Sequence, residues 1–236
     1  MLGCGNKLSW RNTSDLVYRT LRERGYEQDN LFVLGGEEYP TEGFDCHTLP
    51  SSKKYLQEVL NHLYRNVASD DVFFMYVLSH GSKTRLILPI GQSTFLLNNE
   101  TVREEEIEEL LSDIHPDHSV TYFNSCYSGG LARRLGKGKN IAISTTRGDK
   151  ITSGYVGQAV NKQQGLYASN FTLNFFSALR GELPNGDRID INDDSIEGVF
   201  DFASEVSYQN DKYLGPLSKN TPHLIYGRIN PKEVRL

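Results

Sequence analysis

The sequence predicts an α/β fold in which a mostly parallel sheet carries helices on both faces. Short apolar runs rich in β-branched and aromatic residues alternate along the chain with longer segments of helical periodicity. Strands that are separated by helices are joined by crossover connections and therefore lie parallel in the sheet. The 236 residues are enough for a sizeable core, and we expect residues 1–236 to form a single domain.

The helices follow from apolar spacing and from residues that mark helix ends. Leu16, Val17 and Leu21 predict a helix over residues 15–24, which ends before Gly25. Capping serines, amphipathic spacing and a terminating glycine are the corresponding signals further along the chain. They predict helices over residues 51–66, 104–114, 170–179 and 195–208.

The strands are short apolar runs bounded by turn residues. In chain order they are predicted over residues 30–34, 72–78, 120–123, 141–144 and 223–226. Residues 85–89 and 94–97 are typical of a small hairpin, and the Gly-, Glu- and Pro-rich segment 35–50 is typical of a loop.

Two of the predicted strands lead directly into residues that can carry chemistry. His80 and Gly81 follow the strand over 72–78, and Cys126 follows the strand over 120–123, 46 residues after His80. Because the carboxyl ends of parallel strands meet at a common crevice, we expect the two side chains to lie close together. A thiol needs a base to raise its thiolate fraction, and an imidazole can act as that base and then protonate a leaving amine.

The residue types therefore predict a nucleophile, Cys126, with His80 as its base. The glycine after His80 leaves room for a substrate carbonyl. The backbone N–H groups of Gly81 and Cys126 are the expected donors of an oxyanion hole. Taken alone, His80 would indicate a histidine that faces solvent at a strand end, and Cys126 would indicate a buried core cysteine. Only the combination of the two favours a catalytic pair.

These motifs resemble those of the caspase and legumain group of cysteine peptidases, and most closely the legumain-like branch. Residues 125–129, Ser-Cys-Tyr-Ser-Gly, resemble the Ala-Cys-x-Ser-Gly of that branch. Residues 144–155 resemble the strand and loop that follow its nucleophile, and residues 2–15 resemble its first catalytic loop. The resemblance implies a caspase-like three-layer sandwich and a cysteine endopeptidase that hydrolyses peptide bonds through a Cys-His dyad and a thioester. It implies protein or peptide substrates and no cofactor.

The resemblance also implies a specificity pocket for the residue that precedes the cleaved bond. In the legumain pattern this pocket contains an Arg and a His from the first loop, a Glu two residues before the nucleophile, and an Asp beyond the following loop. Here Arg11 matches the Arg, Asn12 stands at the His, Asn124 replaces the Glu, and the Asp has no counterpart. The implied pocket lining consists of Arg11, Asn124, Ser144 and Ser153.

The absence of the Glu and the Asp of the legumain pocket predicts a preference for a negatively charged substrate residue. An unpaired guanidinium is costly to bury and favours a carboxylate partner. The hypothesis is cleavage after Asp, less favourably after Glu, with Asn as the fallback. In the alternative interpretation Arg11 is a solvated loop residue or pairs with Asp15 or Asp149.

Composition argues against several other functions. The net charge of −5 gives no support to a nucleic-acid or anionic-membrane partner, and no segment approaches the length of a membrane span. The three cysteines form no metal-binding pattern, and their odd number argues against a disulfide scaffold. We therefore expect no metal site.

An acidic segment over residues 190–197 allows two interpretations. Related bacterial sequences often carry an EF-hand-like calcium loop before the corresponding helix. Here the segment is shorter and lacks the glycine that the sharp turn of a calcium loop needs. Carboxylates placed just before a helix also cap it and complement its dipole, which is the favoured interpretation.

The start of the chain departs from the legumain pattern. A legumain-like fold opens with a buried strand that leads into the first catalytic loop, but only Met1 and Leu2 precede Gly3. We expect this first strand to be truncated or another element to take its place. Because no signal peptide is present, the expected location is cytoplasmic.

Two other function classes stay open at this point. The chain could be a catalytically inactive regulatory or interaction module that uses the acidic helix around residues 104–109 as a partner surface. It could also be a transpeptidase that passes the acyl group to an amine instead of water. The intact His80 and Cys126 favour an enzyme. We expect any homodimer to form through an exposed edge of the sheet.

Overall fold

The computed structural model describes residues 7–35, 44–84, 92–114, 116–147, 169–211 and 221–236. Its helices are α1 (Lys7–Glu23), α2 (Lys53–Asn66), α3 (Glu104–Leu111), α4 (Gly129–Leu135), α5 (Asn170–Arg180) and α6 (Ile196–Asp211). Its strands are β1 (Phe32–Gly35), β2 (His47–Pro50), β3 (Val72–Leu78), β4 (Gly81–Thr84), β5 (Gln92–Leu97), β6 (Glu100–Arg103), β7 (His118–Asn124), β8 (Asn140–Ser144) and β9 (His223–Tyr226).

A four-stranded sheet with the order β3-β7-β8-β9 forms the centre of the molecule. β3, β7 and β8 are parallel, and β9 pairs antiparallel with β8 at the far edge. β1 and β2 form a separate parallel pair, and β4, β5 and β6 form a small antiparallel sheet. The fold is therefore mixed α/β with a mostly parallel central sheet, which confirms the predicted caspase-like fold class.

Hydrophobic cores lie on both faces of the central sheet because side chains alternate along each strand. Tyr122 of β7 packs with residues of α1, α5 and α6 on one face. Its neighbour Phe123 packs with residues of α2, α3 and α4 on the opposite face. Both side chains are fully buried. Two layers of helices thus enclose the sheet and fix the positions of its carboxyl ends.

The N-terminal region differs from its predicted form. Residues 7–15 were expected to belong to a loop, but they form the first half of α1. Trp10, Thr13, Val17 and Leu21 are all buried and recur at helical spacing. The Thr13 hydroxyl donates a hydrogen bond to the carbonyl of Ser9 one turn earlier, at 2.7 Å. This buried stripe explains why a helix forms here, and the prediction of a first catalytic loop is wrong for these residues.

Several further elements differ from their predicted form. β2 lies within the segment that was expected to be a loop, and α4, β4 and β6 were not predicted. The strand over 94–97 is confirmed as part of β5, but its described partners are β4 and β6. Residues 85–89, its expected partner, lie outside the described part of the chain.

The acidic segment before α6 serves as a cap. The Asp193 carboxylate accepts a hydrogen bond from the backbone N–H of Ser195 at 2.9 Å, and the Ser195 hydroxyl accepts one from that of Gly198 at 3.1 Å. Asp193 and Asp194 also form ion pairs with Arg235. These contacts agree with the capping interpretation.

No described helix is long and apolar enough to cross a membrane.

Candidate active site

The two sequence motifs meet because β3 and β7 are neighbouring parallel strands. Leu78 pairs with Asn124 at the last position of the ladder, and the N–H of Ser79 donates to the Asn124 carbonyl at 3.3 Å. His80 and Cys126 each follow two residues beyond that pair. Both residues are partly exposed.

The backbones of the two motifs are in direct contact. A methyl group placed on Gly81 would lie 1.8 Å from the carbonyl oxygen of Cys126 and 3.1 Å from its amide nitrogen. Only a residue without a side chain fits at this separation. Gly81 is therefore required for the close approach of the chain segment that carries His80 to the segment that carries Cys126.

The turn that carries His80 is held from two sides. The rings of Trp10 and His80 lie 5.4 Å apart between centroids, at an angle of 47°. The buried hydroxyl of Ser79 donates to the Leu96 carbonyl at 2.5 Å and accepts from the Leu96 N–H at 2.9 Å. Partial burial disfavours the charged imidazolium and lowers the pKa of His80 below its ordinary value.

The turn that carries Cys126 is supported by buried hydroxyl groups. Tyr127 has a φ of 58°, in the left-handed region that side chains rarely adopt, and a helix (α4) begins two residues later. The Thr146 hydroxyl donates to the carbonyl of Ser125 at 3.2 Å and lies 3.2 Å from the hydroxyl of Ser128. Backbone strain of this kind persists only where the surroundings fix it, and these contacts supply that support.

The expected pocket residues occupy different environments. Asn124 is buried, and its amide donates a hydrogen bond to the Tyr76 hydroxyl at 3.1 Å. Ser144 is fully buried, and its hydroxyl donates to the Thr146 carbonyl at 3.1 Å. Arg11 is exposed on α1, directly after Trp10. Ser153 lies outside the described residues, so the proposed role of these four side chains in substrate binding stays a prediction.

A sequence model described as the Peptidase C13 family matches residues 53–182, more than half of the chain, and spans both motifs. The chain belongs to the peptidase C13 family. This family comprises cysteine peptidases of the legumain type, which act on proteins or peptides.

The fold is similar to that of a solved protein. The crystal structure of protein GSU0716 from Geobacter sulfurreducens matches with a TM-score of 0.55 and 14% sequence identity. The match covers 82% of this chain and 81% of that chain. At this level of identity the similarity concerns the fold alone. No curated protein matches the sequence.

Sequence reasoning missed three side chains that shape this candidate site. They are Trp10, Ser79 and Thr146. The apolar spacing that continues from Leu21 back to Trp10 could have placed Trp10 on a buried helix face. The two hydroxyl groups give no comparable signal, because serine and threonine next to strand ends are common in all α/β proteins.

The contact between Gly81 and Cys126 predicts a large effect of a single methyl group. We expect Gly81→Ala to push the two segments apart and to lower the free energy of unfolding by about 1–3 kcal/mol, as overpacking does. The alkylation rate of Cys126 by iodoacetamide, followed by intact mass, should change as well. Thr101→Ala, at an exposed position of β6 in the same small sheet, is the control and should resemble wild type. Wild-type stability and alkylation in Gly81→Ala would contradict the contact.

The partial burial of His80 predicts its titration directly. Since burial disfavours the protonated ring, the NMR titration midpoint of His80 should lie below the ordinary imidazole value of about 6.5. The same resonance should return to that value when the chain is unfolded in urea. A folded-state midpoint at or above 6.5 would show that the ring is stabilised in its charged form instead.

Proposed function

We propose that this C13 family member is an active cysteine endopeptidase with Cys126 as nucleophile and His80 as general base and acid. The observation that carries the proposal is the backbone contact of Gly81 with Cys126 at the adjoining ends of β3 and β7. This contact keeps the residue after His80 against the backbone of Cys126. An interaction module would need neither the close approach nor both reactive side chains.

The reaction begins with proton transfer from the Cys126 thiol to His80. The Cys126 sulfur then forms a bond to the carbonyl carbon of the substrate, and the carbonyl electron pair moves onto oxygen. When this intermediate collapses, the carbon–nitrogen bond breaks, and the leaving amine takes the proton from His80. A thioester between Cys126 and the acyl half of the substrate remains.

Water completes the cycle in the second half of the reaction. His80 takes a proton from water while the oxygen attacks the thioester carbon. The carbon–sulfur bond then breaks, the acid product leaves, and the proton on His80 restores the thiol. In both halves, the backbone N–H groups of Gly81 and Cys126 are the proposed donors to the negatively charged oxygen.

The proposed substrate residue before the cleaved bond is Asp, with Glu and Asn less favourable. The buried side chain two residues before the nucleophile is the neutral Asn124, whose amide is directed to the Tyr76 hydroxyl. Arg11 directly follows Trp10, whose ring contacts His80, so a cation lies on the helix that borders the site. A pocket that is lined by the neutral Asn124 and lies near the Arg11 guanidinium favours a substrate carboxylate over an uncharged substrate amide.

Covalent labelling tests the catalytic assignment. We expect a peptide acyloxymethyl ketone that ends in Asp to add one label to the wild-type chain, as intact mass would show. The label should be absent in Cys126→Ala, and its rate should fall about 100-fold or more in His80→Ala, since general acid–base catalysis contributes a factor of this size. Cys46→Ala is the matched cysteine control and should be labelled like wild type.

The alternatives give different results in the same assay. Failure of both the Asp probe and an otherwise identical Asn probe to label a folded chain would favour an inactive scaffold. Cleavage of a fluorogenic peptide in the presence of an added amine distinguishes a hydrolase from a transpeptidase. A transpeptidase would yield mostly the amide product, which mass spectrometry would detect.

A charge-removal variant tests the specificity proposal. We expect Arg11→Gln to lower kcat/KM for an Asp substrate about tenfold while changing that for the matched Asn substrate much less, because only the former gains from the guanidinium. Peptides that differ in this one residue provide the measurement.

The matched control lies on the same helix. Arg19 is exposed and pairs with Asp15 in an i,i+4 ion pair, which makes Arg19→Gln the same chemical change away from His80. It should leave the ratio of Asp to Asn cleavage at the wild-type value. An equal loss with both substrates in Arg11→Gln, or a preference for Lys or Arg substrates in wild type, would reject the proposed acidic preference.

A further inference from the structure

The single tryptophan of the chain lies against the proposed catalytic base. Trp10 is on the first half of α1, and its side chain is 6% exposed. The centroids of its indole ring and of the His80 imidazole are 5.4 Å apart, and the two ring planes are inclined at 47°. This separation lies within the range over which aromatic rings pack against each other. A helix from one side of the sheet therefore contacts the ring of a residue that a strand end carries.

The indole is fixed by the residues beneath it. Trp10 packs with Leu78, the last residue of β3, and with Tyr76, which lies two residues earlier on the same face of that strand. Further along α1, Leu16 and Leu21 pack in the core with residues of α5. Both elements that hold the indole are thus anchored in the main core, and close packing limits the rotamers that the indole can adopt.

The same support extends to the segment that carries the proposed nucleophile. The Tyr76 hydroxyl accepts a hydrogen bond from the amide of Asn124 at 3.1 Å, and Asn124 precedes Cys126 by two residues. Burial raises the pKa of Tyr76, so the phenol stays neutral and has no proton to exchange at neutral pH. Tyr76 therefore acts through its contacts, which join the indole of Trp10 to the end of β7.

Backbone contacts alone leave the His80 ring free to rotate. The hydrogen bonds of Ser79 with Leu96 and the contact of Gly81 with Cys126 fix the chain before and after His80. The imidazole still has two side-chain torsions. A general base must lie within hydrogen-bond reach of the proton that it takes, and a small misplacement lowers the rate steeply. A rigid ring packed against the imidazole removes the rotamers that would clash with it.

We propose that Trp10 is a positioning residue whose indole holds the His80 imidazole in the orientation in which it serves Cys126. The inference rests on the proposed function, because it assigns His80 the role of the base. Trp10 acts through His80 and has no direct role in the bond changes. The competing interpretation is that Trp10 only fills space at the start of α1, in which case any apolar side chain would replace it.

Two substitutions of Trp10 test the proposal by kinetics. We expect Trp10→Leu, which stays apolar but loses the flat ring, to lower kcat for the Asp peptide about 10- to 100-fold, because orientation governs the chemical step. KM should change less than about twofold, since the substrate contacts are unaltered. Trp10→Phe keeps a ring against the imidazole and should stay within about threefold of the wild-type kcat.

A control on the same helix separates positioning from stability. Leu21 is buried about three turns beyond Trp10, or about 16 Å along the axis of α1. Leu21→Ala weakens the packing of α1 without altering the contact with His80. At a temperature at which every variant is folded, it should keep the wild-type kcat.

Two spectroscopic readouts do not require catalysis. A protonated imidazole in contact with an indole interacts with its π electrons and quenches its emission. Because Trp10 is the single tryptophan, we expect the intrinsic emission to fall as the pH is lowered through the titration midpoint of His80, and not to fall in His80→Gln. NMR couplings about the first side-chain bond of His80 should report one rotamer in wild type and an average over rotamers in Trp10→Leu.

Three outcomes would overturn the proposal. They are a wild-type kcat in Trp10→Leu, an equal loss of kcat in Trp10→Leu and Leu21→Ala, and a single His80 rotamer in both wild type and Trp10→Leu. Failure of the proposed function gives a different pattern. A wild-type chain without peptidase activity, in which the His80 rotamer is lost in Trp10→Leu, would reject the peptidase assignment and still support Trp10 as the residue that orients His80.

Discussion

The in-register parallel pairing of β3 with β7 is the constraint on which the candidate site depends. The ladder runs from Val72 opposite His118 to Leu78 opposite Asn124 without a bulge. A shift of one residue would move every side chain of a strand to the opposite face of the sheet. The side chains that pack in one core would then face the other core. The two cores prevent such a shift, because they hold Tyr122 and Phe123 on opposite sides of β7. The packing that stabilises the sheet thereby sets the positions of His80 and Cys126.

Much of this arrangement could be predicted from the sequence. The strand that precedes each motif is a continuous apolar run, which is the strongest local signal of a buried parallel strand, and its end is marked by small residues. The proximity of His80 to Cys126 follows from the rule that such strands end at a common edge. β9 and the end of α5 at Gly181, whose φ is 73°, were also foreseen from local signals.

Other parts could not be predicted, for identifiable reasons. α4 begins with two glycines, which lower helix propensity, and its formation depends on the burial of Leu131 and Leu135 against the sheet. β2 is short and ends at a proline, so its sequence pattern is that of a loop. For α1, the resemblance to the first catalytic loop of the legumain-like branch outweighed the helical spacing of Trp10 and Val17, which the structure shows to be the better guide.

The hydrogen bonds between Ser79 and Leu96 join the small antiparallel sheet to the turn that carries His80. Leu96 bonds to Ser79 through both its N–H and its carbonyl, and the same N–H lies 3.0 Å from the carbonyl of His80. Any fluctuation that releases the histidine turn must first break these bonds. The solvent-exchange rate of the Leu96 amide therefore reports how often that turn opens, and it can be measured without attaching a probe to His80 or Cys126.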